Sequence, residues 1–181
     1  MNDARVKFVS KAKYLGVILD RKLNFAVHVN YVADKAKGLA LRLRGIAATR
    51  WGLRSPELRL IYKGAMVPTA VYAASVWAHR LNQNVSLAAT LYRAQWPTLL
   101  SKIGAYRTAP TSALQVLARS LPLDLEVRKR SDLYDRRRAL AEHQPTRSLA
   151  DIKSALVRKW QERWDTAVTG RVTYAFIPNI Q

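Results

Sequence analysis

Carboxylates that could pair are scarce near the start of this chain. Asp20 and Asp34 lie fourteen residues apart, one at the start of a helical pattern and one on its flank. A two-metal centre needs carboxylates that converge, and this spacing does not bring them together. His28, His79 and His143 lack ligand-like spacing, and the chain has no cysteine, so a thiolate zinc site, a disulfide or a thiol nucleophile is excluded. Gly16 stands outside any glycine-rich phosphate loop, and no serine sits in a nucleophile elbow. The expectation is therefore no catalytic residue and no metal ligand. The usable chemistry is cationic. His28, Lys35 and Arg42 recur every seven residues along one edge of an apolar stripe, with Lys37 and Arg44 on the other edge. Such rows suit phosphate contacts, which give sequence-independent and salt-sensitive affinity. Tyr14 and Trp51 offer rings on which bases or sugars stack, or else they pack in the core.

The elements that must position these groups begin with Lys13-Tyr14-Leu15-Gly16-Val17-Ile18-Leu19-Asp20. This short, nearly apolar run reads as a buried strand whose glycine marks a bulge or a close backbone approach. Val6, Phe8 and Ser10 alternate with Arg5, Lys7 and Val9, and Ser10-Lys11-Ala12 suits a turn, so residues 5–20 suggest an antiparallel hairpin. Asp20 or Asn24 caps a helix whose stripe is Val29, Val32, Ala36, Leu39, Leu43 and Ile46, with Gly45 at its end and a loop through Arg50-Trp51-Gly52. Ser55-Pro56-Glu57 starts the next helix, and Pro68 kinks or breaks it. A nearly uncharged helix from Thr69 to His79 follows. Asn84 caps another, interrupted at Pro97. Gly104-Ala105-Tyr106-Arg107-Thr108 is a compact turn, and Thr111 to Arg119 a short helix. Residues 124–142 are a polar helix whose bases are balanced by Asp124, Glu126, Asp132, Asp135 and Glu142, which reads as a solvated face. Leu149, Ile152, Leu156, Trp160 and Trp164 mark one more amphipathic helix. Val172 to Ile177 reads as a short strand. The fold class is mainly α with a β-hairpin at the front.

Charge narrows the partners. The 181 residues carry 31 Lys and Arg against 12 Asp and Glu, a formal net charge of +19, while 49% are hydrophobic. A real core is possible, and the excess charge repels itself unless a polyanion neutralises it. Residues 1–54 hold twelve bases and three acids, whereas residues 55–110 hold six bases and one acid. The basic surface is thus expected in the first third and the core in the middle. No secretory signal is visible, and the longest uncharged run, Gly64 to His79, contains Pro68 and is too short to span a membrane. An intracellular chain with no membrane partner is expected.

Several ordered motifs carry a family resemblance. The run Lys13 to Asp20, followed by Lys22-Leu23-Asn24-Phe25 and His28-Val29, resembles the end of the palm and start of the thumb in non-LTR (LINE-type) retrotransposon reverse transcriptases. Arg50-Trp51-Gly52 and Tyr72-Ala73-Ala74-Ser75-Val76-Trp77 look like thumb helices. Gly104 to Thr108, Ala113 to Ala118 and Leu121-Pro122-Leu123-Asp124-Leu125 resemble the arthropod elements that insert into ribosomal DNA, the type-1 retrotransposable elements. Gly170-Arg171, Thr173-Tyr174 and Phe176-Ile177-Pro178 fit the segment after the thumb. Trp96 stands where the pattern suggests arginine, and Arg119 where it is often glycine.

The resemblance implies a piece of a Pol polyprotein. Residues 1–21 would end the palm, 22–103 would be thumb-like, and 104–181 a helical linker stopping before a Cys/His cluster. It implies a role in RNA-directed DNA polymerisation during target-primed reverse transcription, with an endonuclease elsewhere in the parent. Tyr14-Leu15-Gly16 would be a primer grip. Lys35, Lys37, Arg42 and Arg44 would lie along the RNA template and DNA primer. The catalytic aspartates and their Mg²⁺ would belong to missing palm and fingers, with no cofactor held here, and the setting would be the nucleus at the point of insertion. The alternatives are a stand-alone basic helical nucleic-acid-binding module, or a protein whose charge meets an acidic protein partner.

Overall fold

The computed structural model describes residues 9–46 and 55–180, without the side chains of residues 44–46 and 55. The expectations for Val6 and Phe8, for Arg50-Trp51-Gly52 and for the Arg44 side chain lie outside the described residues. Within them the chain is mainly helical behind a two-stranded hairpin.

Strands β1 (Lys11–Tyr14) and β2 (Val17–Asp20) pair antiparallel, Lys11 opposite Asp20 and Tyr14 opposite Val17. The turn is Leu15-Gly16, with φ of 43° and 82°. Two left-handed residues match the twist of the flanking strands in a two-residue loop. This corrects two expectations. The turn is not at Ser10-Lys11-Ala12, because Lys11 and Ala12 already belong to β1. Nor is residues 13–20 one buried strand, because the run folds back on itself at the glycine. A leucine at the first turn position gives none of the signal that asparagine or aspartate would. Only β2 packs inward, with Val17 buried and Ile18 and Leu19 half-buried, while β1 is exposed throughout.

Asp20 closes the hairpin and leads into helix α1 (Ala26–Ile46). Its carboxylate accepts the backbone N–H groups of Lys22, Asn24 and Phe25 at 3.1, 3.2 and 2.8 Å, and Asn24 Oδ1 accepts that of Ala26 at 3.0 Å. Both candidate caps therefore act. Slight burial works against the charge, but the N–H donors prevail and hold the Asp20 carboxyl below its ordinary range. Val29, Val32, Ala33, Ala36, Ala40 and Leu43 form the buried face of α1, which packs on α6 (Val85–Ile103). The alanines let the two helices approach closely.

Helix α2 (Ser55–Ile61) runs into a π-helical turn, Tyr62–Met66, and then α3 (Val67–Ala70). Pro68 follows a π-helical turn in a continuous helical run, and that turn shifts the hydrogen-bond register just before the proline. The single helix expected from Thr69 to His79 is instead the end of α3, a turn, α4 (Ala74–Trp77) and a second turn that leads into α5 (Arg80–Gln83). Ala73, at φ 51°, breaks it. The break turns the Tyr72 carbonyl toward the buried Trp77, whose Nε1 donates to it at 3.0 Å. Asn84 caps α6 through the N–H groups of Ser86 and Leu87. Pro97 does not interrupt α6. Leu91, Ala94, Leu99 and Leu100 are buried on both sides of it, and their burial exceeds the roughly 3 kcal/mol that an interior proline costs.

Gln95 of α6 is fully buried and makes four hydrogen bonds. Its Nε2 donates to the Tyr62 hydroxyl at 2.6 Å and the Leu121 carbonyl at 2.9 Å, and its Oε1 accepts Gln115 Nε2 at 2.8 Å and the Leu123 N–H at 3.1 Å. That is the full capacity of an amide that keeps one acceptor lone pair per bond and two donors. Trp96 donates its Nε1 to the Ala109 carbonyl at 2.9 Å, so this pair serves the interior and not a phosphate.

The remaining helices are α7 (Thr111–Leu117), α8 (Leu123–Ala141), α9 (Leu149–Asp165) and α10 (Arg171–Phe176). Ala113, Val116, Leu125, Ile152, Leu156, Trp160 and Trp164 share a second cluster of buried residues. The short strand expected over residues 172–177 is helix α10. β-branched and aromatic residues favour a strand only where another strand receives them, and among the described residues no strand lies beside this segment. Tyr174 packs on Trp164 instead, their rings 5.5 Å apart. The solvated face expected for α8 also needs correction at its start. Asp124 is fully buried and forms a two-pronged ion pair with Arg163 of α9, at 3.0 and 2.7 Å.

Candidate nucleic-acid interface

The exposed turn of the hairpin stands over the side of α1, and one tyrosine braces it. Tyr14 and Leu15 are 66% and 74% exposed. The Tyr72 hydroxyl donates to the Leu15 carbonyl at 2.9 Å. A Cβ on Gly16 would lie 3.0 Å from Tyr72 Cε1. Glycine is thus needed twice, for the left-handed backbone and for the seat against the ring. The bare Cα faces Tyr72 and leaves the turn's outer side to solvent.

His28 fixes the hairpin to α1 from below. It is 1% exposed, its Nδ1 accepts the Ile18 N–H at 3.2 Å, and its ring meets Trp77 edge-on at 5.4 Å. Burial pulls its pKa below the ordinary value, so it is a neutral structural imidazole whose Nε2 has no hydrogen-bond partner. Its place in the seven-residue row does not make it a surface cation.

Beside it, Lys13 of β1 and Lys35 of α1 converge on Tyr31. Each ammonium nitrogen lies 5.0 Å from the ring centroid, and Lys13 also donates to the Tyr31 hydroxyl at 3.1 Å. Hydrogen bonding from Lys13 and then Lys35 lowers the Tyr31 pKa, and the charge of the two ammonium groups adds to it. Lys13, Gly16, Tyr31, Lys35 and Tyr72 border a cavity of about 420 Å³. Among the described residues no carboxylate oxygen lies within 4.0 Å of the Lys13, Lys35 or Arg42 nitrogens. Arg42 is exposed and lies seven residues beyond Lys35, nearly two full turns, on the same side of α1. Lys37 is on the opposite flank and pairs with Asp34 at 3.5 Å.

The structure therefore brings Gly16 and Lys35 to one cavity, leaves Tyr14 and Leu15 exposed at the adjoining turn, sets Arg42 farther along the same side, and separates Lys37. Lys13, Tyr31 and Tyr72 are additions that the sequence alone does not single out as binding residues. The i, i+4 spacing of Tyr31 and Lys35 is a usable signal, but nothing local links Tyr72 to a turn 57 residues earlier. Two exposed ammonium groups held around one ring, beside an open turn, can take a phosphate.

Comparison with known proteins bears on the chain as a whole. It is 30% identical, over 99% of its length, to a retrovirus-related Pol polyprotein from type-1 retrotransposable element R1 3 of Nasonia vitripennis, and covers 51% of that protein. It is 31% identical, over its entire length, to the corresponding R1 Pol polyprotein of Bradysia coprophila, and covers 19% of it. The chain is a relative of the R1 Pol polyproteins. A shorter match, 32% identical over 66 residues, is to a probable RNA-directed DNA polymerase from transposon X-element of Drosophila melanogaster. The chain spans about half the length of the first of these R1 relatives and about a fifth of the second. No family profile and no solved structure matches it. The R1 likeness covers the hairpin, α1 and everything after them. Among the described residues no three His, Asp or Glu side chains gather as a metal site, and no helix is long and apolar enough to cross a membrane.

Proposed function

We propose that the chain is the part of a retrotransposon reverse transcriptase that holds the template–primer duplex, with the hairpin turn at the primer and the Lys35–Arg42 side of α1 along the backbone. The observation that carries this is the convergence of Lys13 and Lys35 on Tyr31, without carboxylate partners, beside the exposed Leu15-Gly16 turn. A polymerase must hold any sequence as the duplex slides, so phosphate-directed contacts suit it. An RNA–DNA hybrid is A-like and is read through shape and backbone. Bond formation, with its Mg²⁺, is assigned to other parts of the polyprotein, and no step of it to residues of this chain.

The test is titration of an RNA–DNA hybrid at several salt concentrations. Lys35→Glu with Arg42→Glu should weaken binding equally for all sequences and reduce the slope of log K against log salt by about 2, one for each phosphate that is no longer neutralised. Unchanged affinity and slope would remove this side of α1 from the duplex.

A further inference from the structure

The cavity beside the hairpin does not end there. Tyr72 and Pro68 border it and also border a second cavity, of about 650 Å³, whose far wall carries Lys129 and Arg130 of α8. Val67, Glu126 and Lys129 are shared in turn by a third, of about 420 Å³, which reaches Lys63, Arg119 and Lys153. The three adjoin in series through these shared residues, the first bordered by the hairpin and α1, the second by α3 and α8, the third by α8 and α9. Among the described residues Glu126 is the one acid bordering them, and it is already paired with Lys129 at 3.7 Å. Among the described residues Lys63, Arg119, Arg130 and Lys153 have no carboxylate within reach, and all four are exposed.

Two further observations concern the third cavity. Arg119 has φ 47°, a left-handed conformation that glycine adopts without strain and arginine does not. Beneath it, Lys102 is buried, with its ammonium donating to the Ala118 carbonyl and the Ser120 hydroxyl, each at 2.8 Å, and to no carboxylate. Burial, with Arg59 and Lys63 nearby, lowers its pKa to about 8.

We infer that this series of cavities is a track for one nucleic-acid strand, taking the phosphates of the strand that continues past the duplex held at the hairpin. It rests on the proposed duplex grip for its starting point. Cavities of a few hundred Å³ accept a group of nucleotide size and not a double helix. Tyr72, 53% exposed at the junction of the first two, offers a ring for a base to stack on.

The experiment compares two probes by fluorescence anisotropy with the whole chain: a short blunt RNA–DNA hybrid, and the same hybrid with a single-stranded extension. The variant combines Lys63→Glu and Lys153→Glu with Arg119→Gly, which removes the cation and relaxes the backbone. The extended probe should bind the wild type more tightly. The variant should weaken it about tenfold or more and lower its salt slope by about 2, at ~0.7 per single-strand phosphate, leaving the blunt probe unchanged. Lys63→Gln with Lys153→Gln should do the same in smaller measure with little risk to folding. Equal wild-type affinity for the two probes, or equal loss on both in the variants, overturns the track. If Lys35→Glu with Arg42→Glu leaves the blunt probe unchanged while the distal variants weaken the extended one, the duplex grip fails and the track stands.

Discussion

Replacing Arg163 by leucine should cost this protein about 3 kcal/mol of stability, and the figure follows from what it leaves behind. Asp124 is 0% exposed, and its carboxylate meets Arg163 at 3.0 and 2.7 Å. Removing one partner of a fully buried pair costs roughly 3–5 kcal/mol, because the surviving charge has neither water nor a counter-ion, and the 40% exposure of the Arg163 side chain lowers that figure here. Two features place the expected loss at the low end. Asp124 lies in the first turn of α8, where the helix dipole favours a negative charge. Arg128, one turn on, lies close enough for Asp124 to act on its charge. At about 2–4 °C per kcal/mol for a domain of this size, thermal denaturation should show a fall of roughly 6–12 °C.

One control sharpens it. In the double variant Arg163→Leu with Asp124→Leu, an apolar pair replaces an ionic one and most of the loss should return. A single-variant loss under about 1 kcal/mol, or a double variant no more stable than the single one, would refute the reasoning by showing that Asp124 does not depend on Arg163. The pair also holds α9 to α8, and Lys153 on α9 is one wall of the proposed strand track, so extended-probe affinity should fall with it.

Gly16→Ala should loosen the hairpin by about 1–2 kcal/mol, from the left-handed backbone and the 3.0 Å approach to Tyr72 together. Hydrogen exchange at the Ile18 amide should quicken roughly 5–30-fold, and an unchanged rate would show the turn is not seated on that ring. Lys102 makes folding depend on alkaline pH. Its pKa is about 8 in the folded chain against an ordinary 10.5, so between those values the unfolded chain binds more protons and stability rises with pH. The penalty is complete below pH 8 and relieved toward 10.5. At about 1.4 kcal/mol per pH unit the rise is roughly 3 kcal/mol. Urea denaturation of the wild type minus that of Lys102→Met should show this rise, and parallel profiles would place Lys102 in water.

What was legible in the sequence was whatever one element encodes by itself. The α1 face appears in the spacing of Val29, Val32, Ala36 and Leu43, and the α9 face in Ile152, Leu156, Trp160 and Trp164, because a helix repeats its burial every three to four residues. The caps at Asp20, Asn24 and Asn84 appear because a side chain and the N–H groups it satisfies are neighbours in the chain. What escaped was decided between elements. Residues 172–177 carry strand-forming side chains but no strand to join. Leu15 takes a left-handed turn because Tyr72, 57 residues on, accepts the geometry and bonds its carbonyl. Asp124 reads as one more surface acid until α9 brings Arg163 to it, 39 residues away.

The same division governs the candidate site. Its charges could be counted from the sequence, because a basic excess needs no fold to be seen. Their usefulness could not, because that depends on which cations find carboxylates. Lys37 finds Asp34 on its own helix and Lys129 finds Glu126, both through local spacing. Lys13 and Lys35 find a tyrosine ring, and Lys63, Arg119 and Lys153 find open space over a shared cavity. A cation against a ring or over a cavity keeps most of its charge for a ligand, whereas one paired with a carboxylate must first be released. The residues to test are therefore set by the absence of partners, and Lys37, which spacing sets on the opposite edge and the family resemblance groups with Lys35 and Arg42, should contribute least when the three are changed one at a time.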